Sequence, residues 1–366
     1  MSSDPTSGAG SRIESPVENG LTRFLRHELS AGTLANRSAI SNITLIMTYQ
    51  CPASCSHCVF GSNKTRTEAM NPETARRFIA AAARQVPPPT LSFSGGEPFL
   101  RLGLMRDLAC FAHKRGMISE VISSSAWCQD LNRTRMVLSD LHEHGMKTYA
   151  TSVDRYHTPH VEPQQMRNAI LAALDAGLHV TINTVVDPET LGQEEAYLSQ
   201  TLELPGSILS RCSINRLICA PVGRARTEVH DWLYQEKDMR EGCPFSTEVV
   251  TLTPQGLLYP CCGMVVGESP HQANLFIQDT LANHTVDEID AILDALKHDL
   301  FFKLLQCLGP YNLLLEVKRR HPTLKTRERF IGSCDVCLEF TSNPAVAPKV
   351  QQLLEEYGRI LSIAND

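Results

Sequence analysis

Between Ile43 and Ala220 short β-branched runs alternate with amphipathic helical stretches, and that alternation restricts the chain to few folds. Ile43–Tyr49, Thr90–Ser94, Ser119–Ser123, Lys147–Val153, His179–Val186 and Cys212–Ile218 read as strands. Helical patterns from Asn71 to Ala83, Leu102 to Lys114, Asn132 to His144, Pro163 to Ala176 and Glu194 to Thr201 separate them. Strands spaced by helices predict repeated βα units and a parallel sheet. Right-handed crossovers curl such a sheet into a barrel or partial barrel, whose sites lie at the C-terminal ends of the strands. The expected fold class is therefore α/β, a partial (β/α)6 barrel, followed by a small α+β domain.

The pattern changes after Arg226. Val249–Leu252 and Leu257–Pro260 flank Thr253-Pro254-Gln255-Gly256, which reads as a hairpin. Helical stretches follow at Val286–Leu305, Tyr311–Arg320 and Pro348–Ser362. The predicted organisation is a leader with an N-terminal helix over 1–40, a barrel over 41–230, a small domain over 231–345 and a C-terminal helix over 346–366. The first 20 residues are rich in Ser, Gly, Pro and acidic groups and read as a disordered leader, without the apolar core of a signal peptide. No apolar run approaches the roughly 20 residues that cross a bilayer. A cytoplasmic protein is expected. The net charge of −6 argues against nucleic-acid or anionic-membrane partners.

Thirteen cysteines in a chain of this kind point to bound metal rather than to a disulfide scaffold. Directly after the first strand, Cys51-Pro52-Ala53-Ser54-Cys55-Ser56-His57-Cys58 spaces three thiols as C-x3-C-x2-C. Three thiolates can hold one corner of a [4Fe–4S] cluster and leave one iron open, which suits chemistry better than storage. A zinc knuckle completed by His57 or a distant residue is the competing reading.

The C-x3-C-x2-C loop, with a His before its last cysteine, resembles the radical S-adenosylmethionine (radical SAM) superfamily. Other segments match in register: Ser94-Gly95-Gly96-Glu97-Pro98 resembles its GGEP segment, and Ser152-Val153-Asp154 its Ser-x-Asp element. Pro221-Val222-Gly223-Arg224-Ala225 resembles its P-x-G-R-A segment, and Ser124 ends the third strand where relatives carry small polar residues. The resemblance implies that Cys51, Cys55 and Cys58 hold a [4Fe–4S] cluster whose open iron takes the amino and carboxyl groups of SAM. It implies SAM contacts from Gly95, Gly96, Glu97, Ser124, Ser152 and Asp154. Arg224 is a further candidate, pairing with a carboxylate of SAM or substrate. Reductive cleavage of SAM would then give a 5′-deoxyadenosyl radical that abstracts hydrogen from a substrate. Asn183 on the fifth strand is expected to face the lumen.

Cys243 and Cys261 bracket the hairpin as C-x12-G-x4-C, which resembles the opening of the SPASM extension of peptide-modifying relatives. The seven cysteines of that extension are not all present. Cys243, Cys261, Cys334 and Cys337 match the shorter twitch type, which holds one auxiliary [4Fe–4S] cluster. Four thiolates saturate a cluster and suit it to electron transfer, whereas a zinc ribbon is the structural alternative. Cys262 is a candidate hydrogen-atom donor. The resemblance implies a peptide (RiPP) or natural-product maturation enzyme that oxidises its substrate through the auxiliary cluster, served by a flavodoxin or ferredoxin. A dehydrogenase or epimerase of a sugar or aminocyclitol is the first alternative, and a non-catalytic iron–sulfur or zinc protein the second.

Overall fold

Residues 39–233, 241–262 and 280–363 are described by the computed structural model. The predicted leader falls outside the described residues, apart from its last two positions. Six parallel strands come first: β1 (Asn42–Ile46), β2 (Thr90–Ser94), β3 (Ser119–Ser123), β4 (Met146–Ser152), β5 (His179–Val186) and β6 (Cys212–Ile218). Each lies beside its predecessor, and the crossovers run through α1 (Pro72–Ala82), α2 (Leu102–His113), α3 (Leu131–Glu143), α4 (Pro163–Asp175) and α5 (Glu194–Leu202). This is the partial (β/α)6 arrangement that the alternation predicts. Two short helices, α6 (Gly206–Leu209) and α7 (Ala225–Glu228), flank β6.

Local chemistry sets most element ends. Asn71 accepts from the backbone N–H groups of Glu73 and Thr74 and opens α1, with Pro72 in its first turn. Asp130 caps α3 through the Arg133 N–H. The successive β1 residues Ile43, Thr44, Leu45 and Ile46 and the β2 residues Leu91, Ser92 and Phe93 are all buried, as a parallel sheet covered on both faces requires.

The C-terminal region does not stand apart from this sheet. β7 (Val249–Leu252) pairs in parallel with β1, from Asn42↔Val249 to Leu45↔Leu252, and β8 (Leu258–Tyr259) folds back on β7. The sheet order is β6-β5-β4-β3-β2-β1-β7-β8, so β6 and β8 are its edges. Four helices follow: α8 (Val286–His298), α9 (Leu300–Arg320), α10 (Ser333–Ser342) and α11 (Ala347–Ile363). The single helix expected over Val286–Leu305 is two, because Asp299 takes an extended backbone and its carboxylate caps the Phe301 and Phe302 N–H groups. Within α9, Gly309 sits at φ 78° beside Pro310 and kinks the helix.

That kink has a purpose in the packing. A Cβ on Gly309 would lie 2.0 Å from the Glu241 carbonyl oxygen, and one on Gly242 would lie 1.9 Å from the Gln306 carbonyl oxygen. The two backbones therefore approach only because both positions are glycine. The approach seats the next residue, Cys243, whose N–H donates to the Leu305 carbonyl at 2.8 Å.

Candidate active site

The loop after β1 brings Cys51, Cys55 and Cys58 into one buried corner. Cys51 and Cys55 are 6% exposed, Cys58 is half-buried, and none forms a disulfide. The loop is pinned through its backbone: the Cys51 N–H donates to the Asn63 carbonyl, the Cys58 N–H to the Cys55 carbonyl, and the Ser62 N–H to Cys58 Sγ at 3.3 Å. Burial pushes the Cys51 thiol up to about 12 and the Cys55 thiol higher, so both are neutral thiols until a cation joins them. Three sulfurs that share one loop, two of them buried and none in a disulfide, form a donor set that fits an iron–sulfur cluster.

The glycine segment and Arg224 hold this loop in place. Gly95, at φ 124°, and Gly96 sit so close to the chain entering the loop that a Cβ would lie 2.5 Å from the Thr48 carbonyl oxygen or 2.1 Å from that of Gln50. The N–H groups of Gly96 and Glu97 donate to those same carbonyls, at 2.7 and 2.9 Å. Gly96→Ala should therefore displace the cysteine loop. The expected result is a folded protein that loses the iron held by this loop, about four per chain, after reconstitution; unchanged iron loading would contradict this packing role. Arg224 donates through Nη1 to the Cys55 carbonyl at 2.8 Å and through Nη2 to the Ser62 carbonyl at 2.6 Å. Its guanidinium thus ties the turn after β6 to the cysteine loop, and pairing with a carboxylate would fall to its remaining N–H groups.

Glu97 is 1% exposed and accepts from the Ser123 hydroxyl, from the N–H and hydroxyl of Ser124, and from the Phe99 N–H. Burial raises its pKa, opposed by those hydrogen bonds. Asp154, also 1% exposed, accepts from the N–H groups of Tyr156, His157 and Val185, and from His157 Nδ1 at 2.9 Å. Burial works against its charge, yet the two neighbouring imidazoles and these donors hold its pKa below the ordinary value. His57 stacks on Tyr156 at 4.8 Å and meets His157 edge-on at 4.7 Å. Its buried Nδ1 has no hydrogen-bond partner, and desolvation lowers its pKa to about 4. Ser152 lies beside Asn183 in the β4–β5 register. The ends of all six parallel strands thus contribute to one side of the sheet.

The second cysteine set assembles as well. Cys243, Cys261, Cys262, Cys334 and Cys337 all line a cavity of about 430 Å³, whose lining also includes His57, Val59, Val185 and Cys219. Sequence order gave no hint that His57 and Val59 of the first cysteine loop share a cavity with the C-terminal thiols, or that Cys219 joins them. Cys334 is hydrogen-bonded to Cys262, which with burial raises its pKa well above the usual thiol value. Cys262 therefore belongs to the thiol group itself. The Thr251 hydroxyl fixes Cys261 through its carbonyl at 2.8 Å.

A network absent from the sequence reading fixes the helix that carries Cys334 and Cys337. Arg327 donates to the carboxylate and carbonyl of Asp335 and to Glu339, while Asp335 also accepts from the Ile331 N–H. Both carboxylates are nearly fully buried. Arg327→Met should leave them unpaired, destabilising the protein by about 2 kcal/mol. Thermal melts read this out; an unchanged melt would refute the network's role.

Residues 45–199 match the Radical SAM superfamily. This stretch is a radical SAM domain and the chain is a SAM-dependent radical enzyme, which sets aside the non-catalytic iron–sulfur or zinc reading. Such domains use a [4Fe–4S] cluster together with SAM. Over 233 residues the chain is 23% identical to YydG of Bacillus subtilis (strain 168), which is named for peptide biosynthesis; the match spans 62% of this chain and 70% of YydG. The fold is similar to that of native anSMEcpe with bound AdoMet and Cp18Cys peptide, with a TM-score of 0.55 and 12% identity over 88% of this chain and 99% of that one. It is also similar to Streptococcus suis SuiB bound to S-adenosylmethionine, with a TM-score of 0.51 and 14% identity over 86% and 81% of the two chains. No helix among the described residues is long and apolar enough to cross a membrane.

Proposed function

We propose that this enzyme matures a peptide, holding its SAM-binding cluster on Cys51, Cys55 and Cys58 and an auxiliary [4Fe–4S] cluster on Cys243, Cys261, Cys334 and Cys337. One observation carries the reading: His57 of the first cysteine loop and the C-terminal thiols line the same cavity. When bound, the first cluster with SAM supplies a 5′-deoxyadenosyl radical, and the second supplies an acceptor for the electron that an oxidised substrate gives up. The rest falls to the chain. Arg224 and the Gly95–Gly96 packing hold the cysteine loop, and the hydroxyl-bound Glu97 presents a buried acceptor for a cationic group of SAM. Phe245, Phe302, Leu305 and Ile331 help wall the cavity and exclude water from a reactive species.

The apolar lining also favours a peptide side chain over a sugar or cyclitol. A polyhydroxylated ring needs a donor or acceptor for each hydroxyl, and unpaired ones are costly. The Ser246 hydroxyl on this wall has its one proton engaged by the Phe302 carbonyl, so it offers a ring hydroxyl no donor. YydG, named for peptide biosynthesis, agrees with this choice.

Anaerobic reconstitution followed by dithionite and SAM tests the proposal. Release of 5′-deoxyadenosine and about eight irons per chain are expected from two four-iron clusters. About four irons with one zinc would place zinc in the C-terminal set and overturn the auxiliary-cluster assignment.

Cys262 is proposed as the hydrogen-atom donor to the substrate radical in a variant of this reaction. Its S–H bond breaks as the substrate C–H bond forms, and the thiyl radical left behind takes an electron from a flavodoxin- or ferredoxin-type donor and a proton from solvent. Turnover in D₂O with Cys262→Ala decides it: deuterium in the product of the wild type and not of the variant, at unchanged iron content, is the expected result. Iron loss in the variant would instead make Cys262 a ligand.

A further inference from the structure

The sheet ends on one long free edge. β6 pairs with β5 in an uninterrupted register from Val180↔Cys212 to Val186↔Ile218, and among the described residues no segment pairs with its other side. Every second residue of such an edge turns its N–H and C=O outward. Proteins ordinarily blunt exposed edges with lysines, prolines, bulges or short length. The opposite edge, β8, is two residues long. β6 has seven residues, no proline and a single charge, Arg216, which lies 3.2 Å from the buried carboxylate of Glu194. Asn215, Arg216 and Leu217 are exposed, Leu217 by 39%.

This edge leads into the catalytic cavity, whose wall includes Leu217, Ile218 and Cys219. The register puts Ser213, Asn215 and Leu217 on the same sheet face as His179, Asn183 and Val185. Two bonds across that face agree: the Ser213 hydroxyl with His179 Nε2 at 3.0 Å, and Asn215 Nδ2 donating to Asn183 Oδ1 at 3.0 Å. Among the described residues no protein group takes Asn215 Oδ1 or the hydrogens of Asn183 Nδ2. An acceptor and a donor side by side match a peptide group.

We propose that the substrate binds as an extended peptide strand added to the free edge of β6, with alternate side chains turned toward Asn215 and Leu217 and one of them delivered into the cavity. The inference rests on the peptide-maturation reading and deepens it. Main-chain pairing gives affinity at an edge, and side chains of one parity give specificity. A small cyclitol would have no use for the exposed length of β6.

The probe is a linear dodecapeptide selected by mRNA display from a random library on the reconstituted full-length enzyme with SAM. Backbone N-methylation at each position in turn, read by fluorescence anisotropy, should weaken binding about tenfold at alternate positions and less than about twofold between them. Hydrogen exchange at single-residue resolution should show protection at alternate amides of β6. A scan without this alternation, or a selection that enriches no binder, overturns the proposal. Formation of 5′-deoxyadenosine without peptide tests the enzyme reading separately. A dodecapeptide that is modified but shows no alternation removes only the edge.

Discussion

Cys55→Ala should abolish 5′-deoxyadenosine formation and lower the iron content from about eight to about four per chain. Cys55 is the middle thiol of the loop, 6% exposed, and its carbonyl takes one arm of the Arg224 guanidinium. Alanine removes the sulfur and leaves that backbone contact, so the local cost in stability is small, about 1 kcal/mol. Two thiolates cannot hold a cluster that three positioned. Circular dichroism and melting separate loss of the cluster from loss of the fold. Residual SAM cleavage above a few per cent of wild type would mean that the first cluster sits elsewhere.

Cys334→Ala should do the opposite. SAM cleavage in the absence of substrate should stay within about twofold of wild type, while peptide-dependent product falls below detection by mass spectrometry. The two outcomes separate because Cys334 lies on α10, an element other than the cysteine loop, although both reach the same cavity. The hydrogen bond between Cys262 and Cys334 adds a condition: Cys262 is placed to replace the lost ligand. If the single variant keeps product formation, Cys262→Ala/Cys334→Ala must lose it. Retention of product in the double variant would end the proposed division between the two cysteine sets.

Four of the six parallel strands, Thr90–Ser94, Ser119–Ser123, His179–Val186 and Cys212–Ile218, have the bounds that the sequence predicts. Their β-branched runs stop at turn residues, and buried parallel strands need no long-range information to be recognised. The break between α8 and α9 was not legible, because Asp299 lies in an otherwise continuous helical pattern and acts as a cap only once the chain turns there. The junction of β7 with β1 was not legible either, since strands more than 200 residues apart in sequence leave no local trace of their pairing. Arg224 invites a carboxylate partner on sequence grounds, yet two of its N–H groups are taken by carbonyls of the cysteine loop. Arg327 carries no motif at all and is identified only by the two buried carboxylates around it.

The sequence by itself determined the alternation that makes the parallel sheet, the three-thiol loop after its first strand, and the glycine segment after its second. Each of these is local: periodicity selects an element, and spacing within one loop selects a ligand set. The tertiary structure decided what local order cannot encode. It placed Cys262 among the C-terminal thiols, brought Cys219 and His57 to the lining of the same cavity, and left β6, among the described residues, as a long unpaired edge whose last residues line that cavity. Those placements follow from sheet order and from the close approach that Gly242 and Gly309 permit, which are contacts between residues far apart in the chain.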